Sequence, residues 1–361
     1  MENMIKQLDK YAEEALFYHD LPGLAISVEI GENGPEPLKG LNYKRALGVK
    51  DATTRQPLLP EQIFHMASVS KLFTSAGILK LCEQEKLSLD SRICRLLPDV
   101  CVDDERYGEI TLFHMLTHTS GLADVEDYHW DDPKLDDQAL KNYALSEEVK
   151  GSRMLWSPKE NKFRYSNMAY ELLGLVIAQT SSMTTYEEYM KKHILEPLGM
   201  NDSTFLTFER AGGSLALSDL SQAGMAMPHT KNQEKQIVLE KHYPYNRQHG
   251  PSSTLTSNIC DLAKWAKAHL SKQFFKKETY EKLWKRYATV PNNGEGMGLG
   301  WFMRRQGEYD IYGHEGTDDG FRASFWICPA LCAHVTVVSN ISRGAVKKIN
   351  KKIYDMLIHC E

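Results

Sequence analysis

The sequence lacks the features that would place the protein in a membrane, on nucleic acid or in a disulfide framework. No stretch approaches the roughly 18 consecutive apolar residues that a spanning helix needs. The net charge is −5, so no basic excess is present for nucleic acid. The seven cysteines are an odd number without framework spacing, and we interpret them as reduced core residues. We therefore expect a soluble protein without a nucleic-acid or membrane partner.

The N-terminal residues also lack the marks of an export signal. Residues 1–10 contain neither an apolar central region nor a small-residue cleavage site, so we expect a cytoplasmic protein. With 361 residues, 42% of them hydrophobic, the chain can bury a sizeable core and form one or two packed lobes. Nothing in the sequence indicates the oligomeric state.

Hydrophobic periodicity places strands near both ends of the chain and helices between them. We predict an α+β fold, with an antiparallel sheet that is assembled from the two ends and flanked by terminal helices. The chain is predicted to be one domain over residues 1–361, with a sheet lobe (1–87 and 290–361) and an inserted helical lobe (88–289). The predicted elements are helices at 2–18, 167–179 and 345–358 and strands at 21–30, 43–50, 299–304, 309–314, 321–327 and 334–338.

Ser68 and Lys71 stand three residues apart at the predicted start of an apolar helix. Since three residues is nearly one helical turn, both side chains leave the same face and can touch. A serine hydroxyl becomes a good nucleophile when a neighbour takes its proton, and a lysine can do so when burial makes it neutral. The alternative is that Ser68 caps the helix and Lys71 faces solvent. The pair is therefore a candidate nucleophile and base.

Two further motifs follow in order: Tyr165-Ser166-Asn167 and His314-Glu315-Gly316. With S-x-x-K, Y-x-N and H-x-G each occurring once, the chain resembles the superfamily of serine β-lactamases and penicillin-binding proteins, on the class C side. The resemblance extends from about residue 10 to the C-terminus. Connecting stretches such as residues 110–122, 163–174, 196–200 and 298–301 are similar to those of class C-like and CubicO-type hydrolases. The resemblance implies the β-lactamase/transpeptidase-like fold, with the site in the cleft between lobes.

The resemblance and the chemistry of acyl transfer together suggest roles for these residues. Ser68 is the expected nucleophile, and Lys71 or Tyr165 is the expected base; the sequence leaves that choice open. Asn167 is expected either to donate to the substrate carbonyl or to hold Lys71. By position, the backbone N–H groups of Ser68 and Thr317 form the expected oxyanion hole, with Gly316 allowing the substrate backbone to approach.

His314 and Glu315 depart from the more common K-T-G form of the third motif. A neutral or partly charged imidazole is a weaker anchor for a substrate carboxylate than an ammonium group is. Glu315 would repel acidic substrates if it faced the cleft, but the sequence does not show which way it points. His114 and His118 have the i, i+4 spacing of a zinc helix, yet the central glutamate of H-E-x-x-H is missing. We expect no metal and no cofactor.

These observations predict a serine hydrolase that forms an acyl-enzyme on Ser68 and releases the acyl group to water. Because no export signal was found, the expected substrate is a small intracellular ester or a D-amino acid amide or peptide. β-Lactamase or DD-peptidase activity is the second possibility. A third, from another class, is a non-catalytic ligand-sensing module that would become acylated and stall. The acidic segment 124–137 matches no pattern that reveals what it covers.

Overall fold

A computed structural model describes residues 1–291 and 293–360; residues 292 and 361 of the predicted sheet lobe lie outside the described residues. Its strands are β1 (Gly23–Ile30), β2 (Asn42–Asp51), β3 (Gln56–Pro57), β4 (Phe64–His65), β5 (His229–Lys231), β6 (Ile237–Leu239), β7 (Thr256–Ser257), β8 (Ala288–Thr289), β9 (Gly296–Met297), β10 (Phe302–Gln306), β11 (Tyr309–Asp318), β12 (Phe321–Cys328) and β13 (Ala333–Ser339).

Nine of these strands form one antiparallel sheet in the order β3-β2-β1-β13-β12-β11-β10-β9-β8. The two ends of the chain meet at its centre, where β1 pairs with β13 in the register Leu24↔Ser339. The predicted α+β fold with an antiparallel sheet from both chain ends is therefore confirmed. Two strands begin later than predicted: β1 starts at Gly23 rather than at residue 21, and β10 starts at Phe302 rather than at residue 299. Gly300 has a φ of +83°, which is a turn conformation and not an extended one.

The helices cover both faces of the sheet. Helices α1 (Glu2–Tyr18) and α13 (Val346–Ile358) lie on one face, where the predicted stripe of Val346, Ile349, Ile353 and Leu357 is buried. Helix α11 (Ile259–Leu270) packs on the other face, against β1, β12 and β13. The helices are α1 (Glu2–Tyr18), α2 (Ser70–Glu83), α3 (Ile93–Leu96), α4 (Leu112–Leu116), α5 (Ala139–Ala144), α6 (Glu147–Lys150), α7 (Asn167–Ser181), α8 (Tyr186–Met190), α9 (Leu217–Gln222), α10 (Gly250–Ser253), α11 (Ile259–Leu270), α12 (Lys277–Leu283) and α13 (Val346–Ile358).

Helix α2 is buried over most of its length and contacts α7, α8 and α10. A helix that is apolar on nearly all sides buries its apolar surface only when it lies in the interior of the protein. Among the described residues, no helix combines the length and the apolar composition needed to cross a bilayer.

The structure shifts the start of α2 relative to the sequence prediction. Ser68 lies in a 3-10 turn, Ala67–Val69, and α2 begins at Ser70. Ala67, the first residue of the turn, has a φ of +48°, which is a left-handed and non-helical conformation. Ser70 fastens the turn, because its hydroxyl donates to the Ala67 carbonyl and accepts from the backbone N–H of Leu255.

Candidate active site

Ser68 and Lys71 are in contact at the junction between the 3-10 turn and α2. The Lys71 Nζ atom lies 3.1 Å from the Ser68 Oγ atom. Ser68 is partly exposed, whereas Lys71 is fully buried, which excludes the alternative of a solvent-facing lysine. A reachable hydroxyl with a buried amine behind it is the arrangement that proton transfer requires.

Lys71 is surrounded by neutral oxygen atoms. Besides Ser68, its ammonium group donates to Asn167 Oδ1 at 2.5 Å and to the Ser252 carbonyl at 2.9 Å. Burial lowers the pKa of Lys71 from 10.5 to about 8, although the nearby carboxylates of Glu171, Asp124 and Asp318 act in the opposite direction. A substantial fraction of the Lys71 side chain is therefore neutral at a pH near 8.

Asn167 is oriented by Asp124. The Asp124 Oδ1 atom accepts from the Asn167 backbone N–H at 2.7 Å and from its side-chain Nδ2 at 2.9 Å. With Nδ2 turned toward the carboxylate, Oδ1 faces Lys71. Asn167 thus contacts Lys71. Of its two expected roles, donating to the substrate carbonyl or holding Lys71, this contact agrees with the second. Asp124, the first residue of the acidic segment 124–137, is a site residue that sequence reasoning missed.

Tyr165 lies beside both Ser68 and Lys71. The Lys71 Nζ atom is 4.9 Å from the centre of the Tyr165 ring. A hydrogen bond with Ser68 lowers the pKa of the Tyr165 phenol, but burial outweighs it and holds this pKa well above 10. The ring stacks on His118 with centroids 4.4 Å apart. Tyr165 is therefore present at neutral pH as a protonated phenol.

His314 lies on β11, with its ring centroid 6.1 Å from that of Tyr165. It is almost completely buried, and burial lowers its pKa to about 3, so the imidazole is neutral at neutral pH. Its Nδ1 atom is 2.6 Å from the Glu315 carbonyl, which can only accept, so Nδ1 carries the proton. The Nε2 atom is left as an acceptor without a partner within residues 1–291 and 293–360.

Glu315 points away from Ser68, which answers the question that the sequence left open. Its Oε1 atom accepts from Trp326 Nε1 at 2.8 Å and lies 3.4 Å from Arg304 Nη1. Arg304 also donates to Asn350 on α13, so this carboxylate lies on the face of the sheet that α1 and α13 cover. Adjacent residues of a strand face opposite sides, and His314 accordingly faces the cleft.

Gly316 and Thr317 continue β11 past the nucleophile. A Cβ atom on Gly316 would lie 2.2 Å from the Met66 carbonyl oxygen, so glycine lets the strand approach the segment that carries Ser68. The neighbour that requires glycine here is this carbonyl, whereas the sequence suggested a substrate backbone. Thr317 is exposed, and β11 contacts the Ala67–Val69 turn. The seven predicted site residues thus lie on four neighbouring parts of the chain: the 3-10 turn, α2, the segment that leads into the start of α7, and β11.

Several polar residues around this site were missed by sequence reasoning. Asp318 comes two residues after the third motif, and position was the only available signal for it. Ser252 and Ser253 lie in a Gly-Pro-Ser-Ser-Thr stretch that matches no catalytic pattern. Glu171 and His249 form a buried pair, with 3.3 Å between Oε1 and Nδ1. These residues come from separate segments, so only the fold brings them together.

The acidic segment 124–137 is attached at both of its ends. Asp124 binds Asn167, while the backbone of Lys134 accepts from the Arg247 N–H and donates to Asn246. Arg247 also pairs with Asp137 at 2.6 Å. The segment therefore spans from the start of α7 to the turn that precedes α10.

The two histidines with zinc-helix spacing have separate partners. His114 Nδ1 accepts from the Thr111 backbone N–H in a capping box, and His118 Nδ1 accepts from the Ser166 backbone N–H. In the part of the chain that the structure describes, no group of three or more histidine, cysteine, aspartate or glutamate side chains could hold a metal ion.

Comparison with known proteins gives consistent matches over nearly the whole chain. The Beta-lactamase family model matches residues 39–358. Penicillin-binding protein 4* of Bacillus subtilis is 26% identical over 329 residues, which are 89% of this chain and 68% of that protein. The chain spans about two thirds of the length of the curated relatives that it matches.

Solved structures show the same fold. The octameric penicillin-binding protein homologue from Pyrococcus abyssi is 28% identical, with a TM-score of 0.82 over 98% of this chain and 77% of that one. D-amino acid amidase from Ochrobactrum anthropi SV3 is 18% identical, with a TM-score of 0.75 over 98% of this chain and 99% of that one. At that identity, the second likeness concerns the fold alone.

Proposed function

Since the chain belongs to the Beta-lactamase family, we propose that it is a serine hydrolase that forms an acyl-enzyme on Ser68. The observation that carries this proposal is the position of Lys71: its amine lies 3.1 Å from the Ser68 hydroxyl, is fully buried and contacts only neutral oxygens. An amine in that environment loses its proton more readily than one in water, so it can accept the proton of Ser68.

In the first step, Ser68 Oγ attacks the carbonyl carbon of the substrate while its proton passes to neutral Lys71. The bond between the carbonyl carbon and the leaving group then breaks, and the alcohol or amine departs with a proton. In the second step, water attacks the acyl carbon, Ser68 Oγ leaves and recovers a proton, and a carboxylic acid is released. Both steps need one group that alternately takes and gives a proton, which a lysine with a pKa of about 8 can do.

We assign Tyr165 the role of proton donor rather than base. Burial keeps the pKa of its phenol well above 10, so the phenolate that a base would require is scarce at neutral pH. A neutral phenol beside Ser68 can pass a proton between Lys71 and the leaving group. Lys71 and Tyr165, the two candidates for the base, thus receive different roles: Lys71 is the base and Tyr165 is the proton donor.

The remaining site residues position the reaction. Asn167 holds the Lys71 amine through Oδ1, while Asp124 fixes the amide orientation. The backbone N–H groups of Ser68 and Thr317 are proposed to bind the oxyanion, because β11 runs beside the turn that carries Ser68. Neutral His314 packs beside Tyr165 and supports the orientation of its ring.

A neutral ester or small D-amino acid amide is the substrate class that we favour. An ammonium group at position 314 would attract a substrate carboxylate, but the neutral imidazole presents an unprotonated Nε2 atom and no charge. β-Lactam turnover or DD-peptidase activity is the second candidate, and it is supported by the likeness to penicillin-binding protein 4*.

Three chromogenic substrates separate these activities. We expect hydrolysis of p-nitrophenyl butyrate or a D-alanyl nitroanilide by the wild-type protein and none by Ser68→Ala. Faster turnover of nitrocefin than of both would favour the β-lactamase assignment. If intact-mass analysis shows fluorophosphonate labelling of Ser68 but none of the three substrates is turned over, the result favours the non-catalytic sensing module. Absence of both labelling and turnover would overturn the proposed acyl-enzyme.

A further inference from the structure

Two adjacent buried serines lie immediately behind Lys71, at the end of the short helix α10. The Ser252 carbonyl accepts from Lys71 Nζ at 2.9 Å. The Ser252 hydroxyl donates to Glu171 Oε1, and its backbone N–H is 3.3 Å from Glu171 Oε2. Ser252 and Glu171 are both fully buried. One residue thus connects the Lys71 amine to a carboxylate on α7 without the two charges touching.

Ser253 makes the corresponding contact on the other side. Its hydroxyl donates to Asp318 Oδ2, which is also 2.7 Å from His65 Nε2. Asp318 directly follows Thr317 on β11, and His65 precedes Ser68 by three residues. The Ser253 hydroxyl and the His65 ring therefore fasten the end of β11 to the segment that carries the nucleophile.

We propose that Ser252 and Ser253 are positioning residues for acyl transfer to Ser68, Ser252 acting through Lys71 and Ser253 through the oxyanion strand. The proposal rests on the proposed function. A carboxylate can only accept hydrogen bonds, so each serine hydroxyl is a donor with a defined direction. Buried carboxylates are costly without donors, which makes these contacts strong constraints on the position of α10.

The arrangement also controls the charge around Lys71. The carboxylates of Glu171, Asp124 and Asp318 raise the pKa of Lys71 against the effect of burial. His118 and His314 also lie close enough to interact with the Lys71 charge, but burial keeps both imidazoles neutral. Burial raises the pKa of the Glu171 carboxyl group, whereas His249, Ser252 and Lys71 beside it act in the opposite direction. Removing the Glu171 charge should therefore lower the pKa of Lys71.

The test measures the rate of Ser68 labelling by a fluorophosphonate, followed by intact mass between pH 6 and 10. This readout needs only the attack of Ser68 Oγ on phosphorus with loss of fluoride, so it also serves if the enzyme deacylates slowly. We expect Ser252→Ala and Ser253→Ala each to lower the plateau rate about ten-fold, with thermal unfolding recorded for every variant. Ser218→Ala is the matched control, because that exposed serine on α9 contacts only its neighbour Asp219 among the described residues.

Two further variants distinguish positioning from a purely structural role. We expect Glu171→Gln to move the rising limb of the rate profile to lower pH by about half a unit, because the glutamine carries no charge. In the double variant Ser252→Ala/Glu171→Gln, the labelling rate should fall by less than the product of the two single-variant factors. The reason is that the hydroxyl donor and its charged acceptor are removed together, so neither is left without its partner.

The possible outcomes separate the two proposals. Absence of wild-type labelling means that the proposed function is wrong. Wild-type labelling with rates and pH profiles unchanged in Ser252→Ala and Ser253→Ala overturns the positioning role alone. A loss of rate that only follows a loss of folded protein, with no shift in the profile of Glu171→Gln, also counts against it.

Discussion

Two buried cations on opposite sides of the sheet have different environments. Arg304 on β10 lies 3.4 Å from the Glu315 carboxylate, donates to Asn350 and stacks over Trp326 at 4.0 Å. Lys71 on α2 donates to a hydroxyl, an amide oxygen and a backbone carbonyl, and the carboxylates of Asp124 and Glu171 bind to Asn167 and Ser252 behind those oxygens. Both side chains are nearly or fully buried.

The difference shows how one protein makes one cation structural and the other reactive. Arginine retains its proton even when burial lowers its pKa, so the Arg304–Glu315 pair holds β10, β11 and α13 together. Lysine can lose its proton. Neutral oxygen partners favour this loss more than a carboxylate partner would, because a carboxylate stabilises the charged ammonium group. Since burial lowers the pKa of both side chains, the residue type and the position of the carboxylates distinguish the two sites.

The largest expected effect, and the strongest test of the contrast between Lys71 and Arg304, is removal of the Lys71 amine. Lys71→Met should lower the rate of Ser68 acylation about 1,000-fold, because no other described side chain adjoining the Ser68 hydroxyl can take its proton at neutral pH. The rate is measured with p-nitrophenyl butyrate and by fluorophosphonate labelling. Lys80→Met, on the same helix, is the control, since that lysine donates to the Phe274 carbonyl. A rate above a tenth of wild type in Lys71→Met would contradict the assignment of the base.

Removal of the Tyr165 hydroxyl should have the next largest effect. Tyr165→Phe keeps the ring stacked on His118 but loses the proton donor, so we expect a roughly 100-fold lower turnover number. Tyr170→Phe is the matched control, because its hydroxyl donates to the Leu116 carbonyl away from Ser68. If both variants turn over substrate equally well, the phenol of Tyr165 takes no part in proton transfer.

The pH dependence distinguishes a titrating lysine from a permanently charged arginine. Since the active form of Lys71 is neutral and its pKa is about 8, acylation should rise with pH and level off above that value. Between pH 8 and pH 6 the neutral fraction, and with it the rate, should fall about 50-fold. The measurement is kcat/KM for p-nitrophenyl butyrate, corrected with Ser68→Ala. A profile that is flat over this range would show that Lys71 is not the group that titrates.

The smallest effect on activity should come from Arg304. Arg304→Met leaves the partly exposed Glu315 carboxylate without its cation, so the free energy of unfolding should fall by about 2 kcal/mol while acylation changes less than two-fold. Urea unfolding and p-nitrophenyl butyrate assays measure the two quantities. Arg305→Met, which removes an exposed pair with Asp310, should change neither. A large loss of activity in folded Arg304→Met would remove the distinction between the two cations.

Much of the fold could be predicted because hydrophobic periodicity is a local property of the chain. The alternating strands near both ends and the buried stripe of α13 were recognisable from spacing alone. The start of α2 was placed too early, because the positive φ of Ala67 has no sequence signal. The shortening of β10 likewise depended on a turn at Gly300.

The candidate site was predictable only where ordered motifs carry it. Ser68, Lys71, Tyr165 and His314 belong to such motifs, and the structure brings them together. Glu171, Ser252, Ser253 and Asp318 are ordinary polar residues in sequence, separated from Lys71 by 100 to 247 positions. Their proximity follows from the packing of α7, α10 and β11 around α2.

The sequence by itself determined the type of chemistry that is available, because a serine and a lysine three residues apart at the start of a helix project to the same side of the chain. The tertiary structure decided the protonation states. Whether an amine is charged depends on the solvent and the carboxylates around it, and those groups reach Lys71 from elements that are distant in the chain.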